Sequence, residues 1–196
     1  MKNQFQSKYT SFTIAICAAI FSLSSCKQES KPEDTKEVAE EKNEAKFENT
    51  KEDEAKFLVD VTEFNLEQAE LGKLTALKSN NAEVKAFGSM MERMHNENIK
   101  DISALAASKQ ISIPTSLTDD NKDDYNALNK KDIDDFDKQY IDRVVEEHKK
   151  AIEHFTDQAD KTSDADSKTW LATQLALLRE HLDNAMTLQS KLENKR

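Results

Sequence analysis

Four long stretches of the chain repeat apolar residues at a helical interval. From Glu52 to Ser79, the residues Phe57, Leu58, Val61, Phe64, Leu71 and Leu74 fall on one face. From Ala82 to Lys109 the stripe is Val84, Phe87, Met91, Met94, Ile102 and Leu105. From Asp132 to Lys161 it is Phe136, Tyr140, Ile141, Val144, Val145, Ile152 and Phe155. From Ser167 to Glu193 it is Leu171, Leu175, Leu178, Ala185, Leu188 and Leu192. Asn80-Asn81 and Ser163 to Asp166 are short turns, so each flanking pair of helices packs antiparallel. The connection from Gln110 to Lys131 is long. Its Ile111-Ser112-Ile113 run is extended ahead of Pro114, because a residue before proline avoids the helical region. Asp119 to Leu128 reads as a short helix capped by Thr118. Two short connections and one long one predict an all-α, ferritin-like four-helix bundle with one long crossover, over residues 52–196.

The polar positions inside these stripes are the informative ones. His95, His148 and His181 each interrupt an apolar face, and Gln68 does the same on the first helix. All four lie within about two residues of their helix midpoints, hence within roughly 3 Å of one level at the helical rise. Asn65, Glu92 and Asn98 are their neighbours in sequence and facing. His154 turns off the face of His148 and reads as a surface residue. Gly72 interrupts the first helix, at a cost of about 1 kcal/mol relative to Ala, and points to a close helix contact.

Two chemistries fit a layer of this kind. Three neutral imidazoles, completed by a carboxylate or water, suit zinc, iron or copper. A buried polar layer of His, Gln, Asn and Tyr hydrogen bonds would instead set helix register with no metal. A carboxylate-bridged di-iron site does not fit. Glu92 stands three before His95, but Val145 and Leu178 occupy the equivalent positions before His148 and His181. No c-type haem motif is present. Met90, Met91 and Met94 read as core filling. No nucleophile–base pair and no glycine-rich phosphate loop stands at a recognisable spacing, so no catalytic residue is assigned.

Composition supports long helices. The chain has 2 Gly and 2 Pro, 34% charged residues and a net charge of −10. An acidic surface repels phosphate backbones, which excludes nucleic acid as a partner. The N-terminus has its own pattern. Lys2 and Lys8 precede an apolar run from Phe12 to Leu23, too short for a permanent span, that ends in Leu23-Ser24-Ser25-Cys26. This resembles the lipobox of bacterial lipoproteins, which implies a signal peptide over residues 1–25, a lipidated Cys26 and a membrane anchor. Lys27 follows Cys26 where an inner-membrane retention signal would have Asp, so the outer membrane is expected, with the domain facing the periplasm or the exterior. Residues 26–51 are dominated by Lys, Glu, Asp and Asn and read as a charged flexible tether.

The chain also resembles a known family, domain-of-unknown-function family 4142, whose members are secreted or lipid-anchored bacterial proteins. The resemblance runs from about Phe57 to Leu188. It rests on Phe57-Leu58, Ala69 to Leu74 (AELGKL), Val84 to Phe87 (VKAF), the Met91 and His95 pair and Pro114. Its more specific parts are Phe136 to Phe155 (FDKQYIDRVVEEHKKAIEHF) and Leu178 to Leu182 (LREHL). His95, His148 and His181 match the family's motif histidines. Gln68 and Met94 stand where the family often has acids, and Leu175-Ala176 where it often has a Leu-Pro pair. The resemblance implies a ferritin-like fold and an envelope location, and no established activity. The leading expectation is thus a non-enzymatic binding or stress-related envelope module with a protein partner. The rival is a metal-binding or redox protein using His95, His148 and His181. A small-ligand carrier is a third reading and requires an apolar pocket between the helices.

Overall fold

The computed structural model describes residues 34–194. Six helices and no strand occur among them: α1 (Thr35–Glu44), α2 (Thr50–Lys78), α3 (Ala82–Lys109), α4 (Asp119–Asn129), α5 (Ile133–Lys161) and α6 (Ala165–Glu193). No helix among the described residues is long and apolar enough to cross a membrane. The expected signal peptide, Cys26 and the first part of the expected tether lie outside the described residues.

The four long helices begin and end within two residues of the boundaries read from the sequence. Their ends carry the expected chemistry. The Asn81 side chain accepts from the amides of Glu83 and Val84, and that of Asp164 from Ser167. The Thr118 hydroxyl accepts from the Asn121 amide and starts α4. Gln110 ends α3 in the left-handed region at φ 59°, and the Ile111 amide reaches back to the Ala106 carbonyl.

Helices α2 and α3 form one hairpin and α5 and α6 another. Phe87 meets Tyr140 and His95 meets His148 at the same interval on both helices, so α3 and α5 run parallel. The connection between them must therefore return along the length of the helices, as its number of residues allows.

The only two glycines of the chain, Gly72 and Gly88, face each other across the first hairpin. A Cβ on Gly72 would stand 2.7 Å from both the Glu92 nitrogen and the Gly88 oxygen. One on Gly88 would stand 2.8 Å from the Gly72 oxygen and 2.9 Å from the Thr75 side chain. The two backbones thus touch here, at a spacing that only glycine permits.

The core divides into two apolar clusters. One gathers Phe57, Leu58, Ile102, Phe155, Leu171 and Leu178 with their neighbours, and the other Leu71, Phe87, Met91, Phe136, Tyr140 and Ile141 with theirs. The histidine-bearing level of the helices lies between them.

The described part of the expected flexible tether, residues 34–51, departs from that expectation. Residues 35–44 form α1, which packs on α2 with Ala39 only 3% exposed, and Phe47 is buried beyond it. Polar groups hold it. The Asn43 amide makes a paired 2.8 Å exchange with the Ser112 backbone, donating to its carbonyl and accepting from its N–H. Asp34 accepts from the Lys36 amide and also from the Asp119 amide, so one carboxylate caps both α1 and α4. Lys36 reaches Asp60 at 3.1 Å and Glu63 at 2.5 Å on α2. Helix α1 thereby ties the long connection to α2.

Substituting Gly72→Ala or Gly88→Ala is expected to lower unfolding free energy by about 1–3 kcal/mol, because forced separation of the backbones outweighs alanine's helix preference. Urea denaturation midpoints measure this.

Candidate metal centre

Each helix brings its histidine inward because that position lies on the apolar stripe. His95 and His148 are 0% exposed and His181 is 2% exposed. The three rings form a triangle with centroids 5.6 Å (His95 to His148), 5.2 Å (His95 to His181) and 5.5 Å (His148 to His181) apart. One nitrogen from each ring lies within 4.8 Å of the other two.

The tautomers follow from the partners. The Asn65 amide nitrogen donates to the Val61 carbonyl at 2.8 Å, which turns its oxygen toward His95. That oxygen lies 2.8 Å from His95 Nδ1, so Nδ1 carries the proton. His148 Nδ1 lies 3.0 Å from the Val144 carbonyl, which can only accept, so it too is protonated. The Nε2 atoms of both rings are therefore lone-pair donors, and neither has a protein partner. His181 has no protein partner on either nitrogen. Buried polar atoms left in this way typically cost about 1–3 kcal/mol each.

Burial dominates the electrostatics. It holds His95 well below the ordinary imidazole value, and His148 and His181 push it the same way. It takes His148 down to about 3, assisted by His181, and His181 to about 4. All three are neutral at physiological pH, the state in which imidazole binds metal.

The remaining residues singled out from the sequence divide. Gln68 is fully buried and its amide nitrogen donates to Glu147 at 2.5 Å, while its oxygen has no partner. Asn65 orients His95 and is not itself a converging ligand. Asn98 is buried a turn beyond His95. Glu92 is half-buried on the side of α3 facing Gly72 and does not join the converging group. His154 is exposed, with its ring edge-on to Phe57 at 5.0 Å.

Two features escaped the sequence. Phe64, one turn before Gln68, stands edge-on to both His95 at 5.5 Å and His148 at 5.3 Å. Beside it, Arg143 of α5 faces three carboxylates: Glu67, Asp124 at 2.6 Å and Glu147 at 2.7 Å. Burial raises Glu67 against the pull of Arg143, and burial with the neighbouring Glu67 pushes Glu147 up to about 7. The i, i+4 spacing of Arg143 and Glu147 was a readable signal, but their burial was not.

The metal-free protein is expected to lose stability as pH falls from about 6.5. The unfolded histidines then take up protons that the folded ones refuse, each removing up to about 1.4 kcal/mol per pH unit until the folded values are reached. Glu147, raised in the folded state, binds its proton there first and opposes this over about pH 4.5–7. Thermal melts at pH 7 and pH 5 should therefore show a lower Tm at pH 5, and a larger drop in Glu147→Gln.

No curated protein and no solved structure matches the chain. One family model does, over residues 38–188, and it covers α2, α3, α4, α5 and all but the end of α6. It therefore contains the whole histidine triangle, and the chain belongs to the family described as Domain of unknown function (DUF4142).

Proposed function

We propose that this protein binds a single transition-metal ion, zinc, copper or iron, through His95, His148 and His181. The observation that carries the reading is the convergence of three buried imidazoles whose free lone pairs find no protein partner. The Asn65 oxygen and the Val144 carbonyl act as outer partners that fix tautomer and ring orientation, as metal-bound histidines require. A triangle of the observed size has its centre about 2.8 Å from each corner, so each nitrogen must close by roughly 0.7 Å to form a bond of about 2.0–2.1 Å. Three neutral ligands leave a fourth position for a water or a small anion. A redox role follows if the ion is copper or iron.

The reading also includes the cell envelope. The lipobox ending in Cys26 supports lipid anchoring, and Lys27 supports the outer membrane. The antiparallel hairpins joined by one long return connection support a ferritin-like four-helix bundle as the carrier. A second reading is a non-enzymatic envelope module whose histidines only fix helix register. It is favoured by the bonds of His95 to Asn65 and of His148 to Val144, which hold two rings from within the protein.

Elemental analysis of the purified, untagged protein separates the two. The metal reading expects about one equivalent of metal, falling below roughly a tenth in His148→Gln and His181→Gln, and a Tm rise on reconstitution that the variants lack. No metal in the wild type after reconstitution with zinc, copper and ferrous iron leaves the register-setting role.

A further inference from the structure

The histidine triangle is closed along the helix axes, since an apolar cluster lies on either side of it. A hydrated cation cannot cross such packing without losing its water, at high cost. Access must be lateral. A groove of about 400 Å³ runs between α2 and α5, lined by Glu67, Arg143, Glu147 and Phe64 among others. Phe64 is the half-buried ring already found edge-on to His95 and His148. The Phe64 ring therefore borders both the groove and two of the three ligands.

The groove is also suited to a cation. One guanidinium, Arg143, faces three carboxylates, Glu67, Asp124 and Glu147. At the inner edge of that cluster stands the Gln68 amide, fully buried, with its nitrogen on Glu147 and its oxygen without a partner. The groove's lining carries four acids, Asp60, Glu63, Glu67 and Glu147, against Arg143 and Lys150, so a divalent cation arriving there would meet more acids than bases.

We propose that the α2–α5 groove is the route by which a divalent metal ion reaches the triangle, with Glu67 and Glu147 as the first capture site and the Phe64 ring as the gate. This rests on the metal reading above. Arg143 holds the carboxylates in place and yields them as the ion arrives. Phe64 is a positioning residue: it sets how fast the ion passes and leaves the bound state unchanged.

The test is stopped-flow binding of Co²⁺ to the purified protein, followed by its visible absorption, with release measured by chelator chase. Phe64→Ala is expected to raise association and dissociation rates by the same factor, about ten-fold or more, at a nearly constant Kd. Glu147→Gln, a half-buried site at the mouth, is expected to slow association by about three- to ten-fold and to flatten its dependence on salt. Phe64→Leu keeps apolar bulk and is measured alongside in case the alanine variant does not fold; a smaller parallel rise in both rates is expected. If the wild type binds Co²⁺ and these variants do so at wild-type rates, the route is overturned and the metal reading stands. A rise in dissociation alone overturns the gate, since it signals loosened ligands. If the wild type binds no Co²⁺, the metal reading falls and the route with it.

Discussion

The contact of two backbones at Gly72 and Gly88 sets the geometry on which the interior depends. Both this pair and the pair Asn65 and His95 are symmetric about Asn80, at the turn of the hairpin. A single register thus joins the glycine contact to the hydrogen bond that orients the first imidazole. Because the helices touch through main chain, they cannot slide past one another without bringing side chains into the close contact. The hairpin is a rigid arm with a histidine held at a defined depth.

That rigidity carries a thermodynamic burden. Three histidines, an asparagine and a glutamine occupy one level of a largely apolar interior. Each is desolvated, and only some of their polar atoms are paired. The clusters of Phe57 and Phe155 on one side and of Phe136 and Tyr140 on the other supply the apolar burial that offsets this. A sequence under selection for stability alone would place leucine at such positions, since replacing buried polar groups by apolar ones of similar size is often neutral or favourable. The proposed metal site would account for imidazoles at these positions.

The long helices were legible because their stripes keep a helical period over many turns, and the polar level because His95, His148, His181 and Gln68 break those stripes at matching depths. What the sequence hid has a common cause. Helix α1 has few large apolar residues and is held by Asn43, Asp34 and Lys36 through specific polar partners. Such bonds leave no periodic trace, so the segment reads as solvated chain. The same holds for Phe64. Its place in the stripe announces a core residue, but that its ring lies edge-on to two histidines depends on the angle at which α5 crosses α2. The tautomer of His95 likewise follows from the Asn65 oxygen, which only the assembled hairpin brings into place, whereas that of His148 follows from the Val144 carbonyl one turn back on the same helix.

The division of the ligands between the hairpins bears on how the chain assembles. His95 arrives with α2–α3, and His148 and His181 arrive together on α5–α6. Each hairpin forms through contacts close in sequence, which makes both fast, local folding units. The triangle exists only once the two have docked. An ion bound to all three imidazoles would thus be a non-covalent cross-link between halves that otherwise meet through side chains alone, and its binding energy would appear as a slower separation of the halves. The site would then double as a latch, tying the lifetime of the folded chain to the metal supply of its surroundings.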